Sequence, residues 1–416
     1  MRPANRHEKT KRYQEPWAGY MRVAILGVGG LGRTLASELR VDRRVTSLLL
    51  TDQFGERARV LTGIPGRVSI EATQLNVENH AALGRAIKGA DIVVNTTLPR
   101  YNLRIMEAAL EAGAHYLDIA SAGPSEPGAQ PGIFAQLARA DDFKSAGRTA
   151  LVSMGFDPGI SNVMARDAAE RFEVIEAIRI RAGDLVTAPG PGYMPLSSRE
   201  AFLANVLVRP TVWLEGGLAA REPLSEPEDF PFPAPVGVQR TYLVSHEEVE
   251  TLPRFLGKPV GRVDYKHALH PDVVRALISL DRLGLLSDFR MIRVGNQMVS
   301  FRRAFLAAFP EPSALVLPLQ GATALTVEVE GVRDGHRVVR RGDVLMSQPD
   351  ANRRRSTTAV YYLSAVGAAI GVAMLADQAT PGPGVYPPET LDRERVFKEW
   401  AARDLPMQWS ERAVAT

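Results

Sequence analysis

An apolar run, Met21-Arg22-Val23-Ala24-Ile25-Leu26, leads directly into Gly27-Val28-Gly29-Gly30-Leu31-Gly32 and then into an amphipathic segment over 33–40. A strand, a glycine turn and a helix in that order form a dinucleotide-binding fingerprint. Gly27 permits the tight turn, Gly29 lets the backbone approach a pyrophosphate, and Gly32 allows close helix–strand packing. Gly30 and Leu31, inside the turn, are expected with them at the cofactor, and the positive N-terminus of the following helix faces the phosphates. A second apolar run, 45–50, ends in Thr51-Asp52, about twenty residues past the last glycine, where the fingerprint calls for an acid on the ribose 2′-hydroxyl. The charge of Asp52 would repel a 2′-phosphate and favours NAD, while Arg57 and Arg59 in the next helix leave NADP open. The alternative reading of Asp52 is a helix cap.

The chain has 416 residues, 45% hydrophobic and 23% charged, enough for two domains with sizeable cores. Its net charge of +3 comes from interspersed residues, so no nucleic-acid footprint is read. It has no cysteine, which excludes disulfides, thiolate nucleophiles and cysteine-based zinc sites; no metal site is expected. No run approaches the roughly 20 apolar residues of a membrane span, the longest being 365–376, so no membrane partner and a cytoplasmic location are expected. Residues 1–20 are polar and basic, without the apolar core of a secretory signal, and read as a flexible tail with Met21 a candidate start.

Beyond the first unit, strand and helix patterns keep alternating: strand 68–75, helix 81–88, strand 91–95, helix 101–112, strand 115–119, helix 134–145 and strand 149–154. Such alternation predicts an α/β domain over 21–154, a doubly wound parallel sheet of the Rossmann type. The turn-rich Gly155-Phe156-Asp157-Pro158-Gly159 closes it, and Ser161 or Asn162 could begin the next helix. A mixed α/β domain over 155–356 follows. Its expected parts are strand 175–182, a Gly/Pro loop at 183–195, helix 199–208, a proline-rich ordered loop or lid at 222–235, strand 240–244 and helix 267–286. A hairpin over 324–345 turns at Asp334-Gly335. Over 357–416 the pattern gives a helix at 357–378, a break at 381–389 and an amphipathic helix at 391–403.

Taken in order, several stretches resemble the saccharopine dehydrogenase family. They are the glycine fingerprint, Leu98-Pro99 with Tyr101-Asn102-Leu103, Ala114-His115-Tyr116-Leu117-Asp118-Ile119-Ala120, and Phe156-Asp157-Pro158-Gly159-Ile160. Ser245-His246-Glu247, Thr251-Leu252-Pro253-Arg254 and Gly384-Val385-Tyr386-Pro387-Pro388-Glu389 complete the series. The resemblance implies a Rossmann domain for a nicotinamide cofactor, NAD or NADP, a mixed domain for substrate and the interface of a homodimer, and C-terminal helices returning to the first domain. It also implies hydride transfer at a carbon–nitrogen bond of an amino acid or amino-acid conjugate, a small-molecule substrate. The alternatives are a nicotinamide enzyme without net redox change and a catalytically inactive dinucleotide-binding protein. Pro99-Arg100-Tyr101 departs from the family's frequent Pro-Tyr-Gln-Asp-Leu, and the region of Tyr265-Lys266-His267 lacks an Arg-Tyr-Pro-Gly-His-like run.

The candidate residues follow from that chemistry. Asp118 ends a parallel strand at the edge where open α/β sheets place ligands, and reads either as a group stabilising an iminium or as a loop cap. Asn95 and Thr96 end the preceding strand and could bond the cofactor or their own backbone. His246 beside Glu247 suits acid–base work, or is a surface pair. A planar guanidinium suits a substrate carboxylate, which makes Arg254 the favoured clamp, Arg100 and Arg199 secondary ones, with Tyr101 at the same mouth.

Overall fold

The computed structural model describes residues 21–59, 61–123, 130–187, 193–287, 289–312 and 319–414. The expected tail 1–20 and the middle of the expected Gly/Pro loop, 188–192, lie outside the described residues.

The first domain is built from β1 (Met21–Leu26), α1 (Gly30–Leu39), β2 (Val45–Asp52), α2 (Gly55–Arg59), β3 (Ser69–Gln74) and α3 (His80–Ile87). It continues through β4 (Ile92–Asn95), α4 (Asn102–Glu111), β5 (His115–Asp118), α5 (Gly132–Leu137), α6 (Ala140–Ser145) and β6 (Thr149–Leu151). The strands pair in parallel in the order β3-β2-β1-β4-β5-β6. That order is doubly wound, with its reversal between β1 and β4, and it makes the domain a Rossmann fold. β1 and β4 are buried on both sides, as near-continuous apolar runs between helical layers should be. One helix expected over 134–145 is instead two, α5 and α6, because the chain turns at Ala138 and Arg139.

The second domain contains α7 (Ile160–Ala169), β7 (Val174–Thr187), α8 (Arg199–Leu207), β8 (Thr211–Leu214), β9 (Gly217–Ala220), β10 (Glu228–Pro231), β11 (Val238–Leu243) and α9 (Glu248–Phe255). After these come β12 (Val260–Ala268), α10 (Pro271–Arg282), β13 (Met291–Val294), β14 (Gln297–Ser300), α11 (Phe301–Ala308), β15 (Gln320–Arg333) and β16 (His336–Ser347). The chain closes with α12 (Gln348–Arg355), α13 (Ala359–Ala376), β17 (Gly384–Tyr386), α14 (Arg393–Ala401) and β18 (Gln408–Ala413). A mixed sheet runs β10-β11-β12-β7-β15-β16-β18, with β7 and β12 parallel. The β15–β16 hairpin turns at Asp334 and Gly335, both with positive φ, as the expected two-residue turn requires.

Three expectations here are corrected. β7 runs on to Thr187 where a loop was expected from residue 183, because β15 pairs with it along nearly its whole length. The proline-rich stretch 222–235 contributes β10 to the sheet's edge, where a proline costs no ladder bond. The helix expected from residue 267 starts only at Pro271, capped by His270, since His267 belongs to β12, whose side chains alternate with period 2.

The C-terminal elements close the molecule. α13 is long and apolar enough to cross a membrane, unlike the shorter 365–376 run expected, yet all its residues except Val360 are buried. It packs against α1, β5 and the β15–β16 hairpin, which is the setting of a core helix apolar on every side. β17 then adds a seventh parallel strand beside β6, and β18 joins the second sheet beside β16. Glu389, just after β17, is bonded by Asn162 of α7 at 3.0 Å.

At Gly155, between β6 and α7, the chain packs tightly against the middle of α13. Gly159, at φ +134°, comes so near that a Cβ there would lie 2.0 Å from the Gly155 carbonyl oxygen, and a Cβ on Gly367 of α13 would lie 1.9 Å from the same atom. Gly367→Ala is therefore expected to destabilise the protein by about 1–3 kcal/mol through overpacking, read as a lowered Tm. An unchanged melting curve would show that the crossing relaxes freely.

Candidate active site

At the C-terminal edge of the first sheet a cleft of about 580 Å³ opens over the reversal between β1 and β4. Gly27 turns with φ +94°, and a Cβ on Gly32 would fall 2.0 Å from the Gly27 carbonyl oxygen, so both glycines are sterically required. Gly29 differs: a Cβ there meets nothing within 4 Å, leaving its backbone open to the cleft. No side chain caps α1, and its first N–H groups, including those of Gly30 and Leu31, are free to take an anion. A dinucleotide pyrophosphate fits this cradle.

Thr96 donates its hydroxyl to the Leu26 carbonyl at 3.0 Å and to that of Gly27, which locks the turn. Asn95 donates to Asn102 Oδ1 at 2.8 Å and accepts the Thr97 N–H at 2.9 Å, so it braces the strand end while lining the cleft. Asp52 accepts N–H bonds from Val28 and Phe54, at 2.8 and 2.9 Å, and so ties the glycine turn to the start of α2. Arg57 also lines the cleft, its guanidinium 4.7 Å above the Phe54 ring. The facing wall comes from the second domain and α13, through Ser198, Ala201, Val360 and Tyr361.

The other candidates fall in different places. Asp118 is 1% exposed and lies behind the cleft. It accepts from the Tyr116 hydroxyl at 2.9 Å, the Ser153 N–H at 2.6 Å and the Gln136 amide, so its partners are those of a buried loop cap. Burial, with Glu247 adding to it, raises its carboxyl to about 7. Arg254 is exposed and stacks 4.0 Å over the Phe134 ring. Arg199 donates to the carbonyls of Leu306 and Phe309 and pairs with Glu311 at 3.3 Å. Arg100 and Tyr101 do line the mouth of the cleft, the guanidinium 4.8 Å over the ring, and the Tyr101 hydroxyl donates to Glu78. A larger open depression of about 750 Å³ lies by Arg166 and Arg393, away from the glycine turn, and both arginines are paired with acids.

His246 is 8% exposed, so the surface-pair reading does not hold. Its Nδ1 lies 2.6 Å from Glu248, whose other oxygen accepts from the Ser161 hydroxyl at 2.6 Å, and its ring stacks on Tyr265 at 3.7 Å. The Tyr265 hydroxyl donates to Asp157 at 2.6 Å. Burial alone would lower the histidine's pKa, but Glu248, Glu247 and Asp157 outweigh it and raise it to about 9. His246, Glu247 and Glu248 offer atoms within 4.8 Å of one another, but the ring pairs with Glu248 and Glu247 accepts the Ser121 N–H. That last bond joins this buried cluster to the cleft, because Ser121 directly follows Ile119 and Ala120 of the cleft's wall. Glu248, Tyr265, Asp157 and Ser161 were not among the expected site residues, although Asp157 lies in the turn-rich hinge, Ser161 is a candidate helix start and Tyr265 lies in the segment that departs from the family pattern.

A doubly wound nucleotide domain, an anion cradle at the switch point and a buried histidine–carboxylate pair in an adjoining mixed domain define an NAD(P)-dependent oxidoreductase. The chain belongs to the saccharopine dehydrogenase family: the saccharopine dehydrogenase NADP binding domain matches residues 23–151 and the saccharopine dehydrogenase C-terminal domain residues 155–404. It is 26% identical over 402 residues to carboxyaminopropylagmatine dehydrogenase of Synechocystis sp., covering 94% of this chain and 97% of that one. It is 27% identical to carboxynorspermidine synthase of Vibrio cholerae over 337 residues, 76% of this chain and 79% of that one. Apo saccharopine dehydrogenase (L-Glu forming) from Saccharomyces cerevisiae shares the fold, with a TM-score of 0.66 at 15% identity over 95% of this chain and all of that one.

Gly29→Ala should leave the melting temperature unchanged or slightly raised and weaken NADPH binding by about tenfold or more, whereas Gly32→Ala should lower both stability and binding. Equal effects of the two would contradict the assigned roles. For His246, the pKa is raised from 6.5 to about 9, so its pairing stabilises the fold fully below pH 6.5 and ceases to do so as pH rises through about 9. NMR titration should find the His246 ring charged at neutral pH, and Glu248→Gln should lower its pKa; no change would disprove the pairing.

Proposed function

We propose that the protein is an NAD(P)-dependent oxidoreductase acting at the CH–NH group that joins an amine to an amino-acid-like, carboxylate-bearing partner. One observation carries this reading: through Ser121 the dinucleotide cleft adjoins a packed cluster of ionisable groups, His246, Tyr265, Asp157, Glu247 and Glu248. Among the described residues no lysine or arginine pairs with any of these carboxylates. An iminium or ammonium group is stabilised by such a surplus of negative charge, and a neutral alcohol or ketone is not. The names of the two relatives, each a carboxylated polyamine derivative, support the same class.

Bound in the cleft, the nicotinamide supplies hydride chemistry. The chain does the rest: the turn from Gly29 to Gly32 holds the phosphates, and the facing walls exclude water and fix the reacting carbon's approach. Ser161 fixes Glu248, which holds Nδ1 of His246, so Nε2 is the ring nitrogen left to give or take the amine's proton. Arg100, at the mouth, takes the substrate carboxylate. Arg57 is placed to meet a 2′-phosphate, so NADP is accepted alongside NAD. The same reading takes the protein as a cytoplasmic homodimer.

Reduction of NADP⁺ or NAD⁺ should be followed with carboxynorspermidine, carboxyaminopropylagmatine, saccharopine and lysine as substrates. Turnover is expected with at least one carboxylated polyamine, and His246→Asn should lower kcat by about 10²–10⁴-fold with NADPH binding intact. NADPH binding without turnover across the panel would contradict the proposal.

A further inference from the structure

The central sheet of the second domain sorts its charges by face. Along β12 successive side chains point to opposite sides, which puts Asp264 and Lys266 on one face and Tyr265 and His267 on the other. On the first face the charges answer one another: Arg181 pairs with Asp264 and Glu228, and Lys266 lies 2.9 Å from Glu228. The strand register sets His267 beside Ala182 and Thr323 beside Asp184. Asp184, two residues beyond Ala182, therefore shares the second face with His267 and Tyr265, the face on which His246 stacks and to which Asp157 is tied.

Among the described residues no lysine or arginine answers Asp184. Its side chain is 17% exposed and accepts from the Thr323 hydroxyl, and its nearest basic group is His267 Nε2 at 3.6 Å. Burial, with the charge of His246 adding to it, lowers that histidine to about 4, so it is neutral at physiological pH. The other partner of Asp184 is the Thr323 hydroxyl. Burial raises the carboxyl to about 7, which is the behaviour of an acid lacking its counter-charge. Thr323 is held in turn by Gln348, whose Oε1 accepts the N–H of Ala359 at the start of α13. The next residues of that helix, Val360 and Tyr361, line the dinucleotide cleft, so Asp184 is tied to the reaction site while standing apart from it.

We propose that Asp184 is a specificity residue that receives a second ammonium group of the substrate, carried on the amine partner away from the carbon–nitrogen bond that reacts. This rests on the amine reading above and adds that the protein selects diamines and longer polyamines over monoamines. A second ammonium supplies the missing charge and keeps Asp184 ionised, because the adjacent His267 is neutral.

Isothermal titration of the NADPH-saturated protein with putrescine and with butylamine, which has the same chain length, tests the inference. Putrescine should bind tighter by about tenfold or more, and Asp184→Asn should erase the difference with NADPH affinity unchanged. Equal binding of the two amines by the wild type, or a preference that survives Asp184→Asn, overturns the inference while leaving the amine reading standing. A wild type that binds NADPH and neither amine overturns both. If Asp184→Asn loses NADPH binding through misfolding, Asp184→Glu decides: its longer side chain should shift the preference toward 1,3-diaminopropane, and an unshifted preference overturns the inference.

Discussion

Everything in this molecule depends on one backbone crossing, at Gly155. Its carbonyl oxygen is approached by Gly159 from the start of α7 and by Gly367 from the middle of α13, at distances that leave no room for a side chain. The crossing brings together two parts of the chain far apart in sequence, the hinge at 155–159 and the middle of α13. Asp157 and Ser161 lie within a few residues of it, and so reach Tyr265 and Glu248 of the second domain. Ile119, on the wall of the dinucleotide cleft, is the side chain nearest to Gly155. Cleft and cluster are thus set by the same contact.

The chemistry follows from how charge is distributed around that contact. A buried carboxylate costs free energy unless it is paired or hydrogen-bonded, and the protein handles its acids in two ways. Asp264 and Glu228 are neutralised by Arg181 and Lys266 on one face of the mixed sheet. On the other face, and along the seam, Asp157, Asp184 and Glu247 have hydrogen bonds but no arginine or lysine among the described residues, and burial raises all three pKa values. His246 supplies one positive charge to this group, which is less than the acids would take up. The proposed function rests on this imbalance, which a cationic substrate would offset.

The sequence discloses the first domain well because its signals are local. The roles of Gly27, Gly29 and Gly32 are visible in a span of a few residues, and alternating apolar strands and amphipathic helices leave few other packings. The second domain is less legible. The strand over 260–268 was read in part as helix because the apolar residues after His267 have helical spacing, although Arg262, Asp264 and Lys266 already alternate with Val263, Tyr265 and His267. α9 was not expected at all, since Pro253 in its last turn breaks the usual pattern. Among the expected site residues, the glycine turn lines the cleft and His246 is buried beside Glu248, whereas Asp118 has the partners of a buried cap and Arg254 and Arg199 contact groups of the protein itself. What a carboxylate or guanidinium does depends on which distant partner the fold brings to it: Ser153 for Asp118, Phe134 for Arg254, Phe309 for Arg199.

The most direct test of the account is a crystal structure of the protein with NADP⁺ and a carboxylated polyamine bound together. The account predicts the pyrophosphate on the N–H groups from Gly29 to Gly32, and the nicotinamide between Ala120 and Ala201. It places the substrate's secondary nitrogen within hydrogen-bonding reach of His246 Nε2. A nicotinamide turned away from the buried cluster, or a substrate held with His246 walled off from its nitrogen, would contradict it.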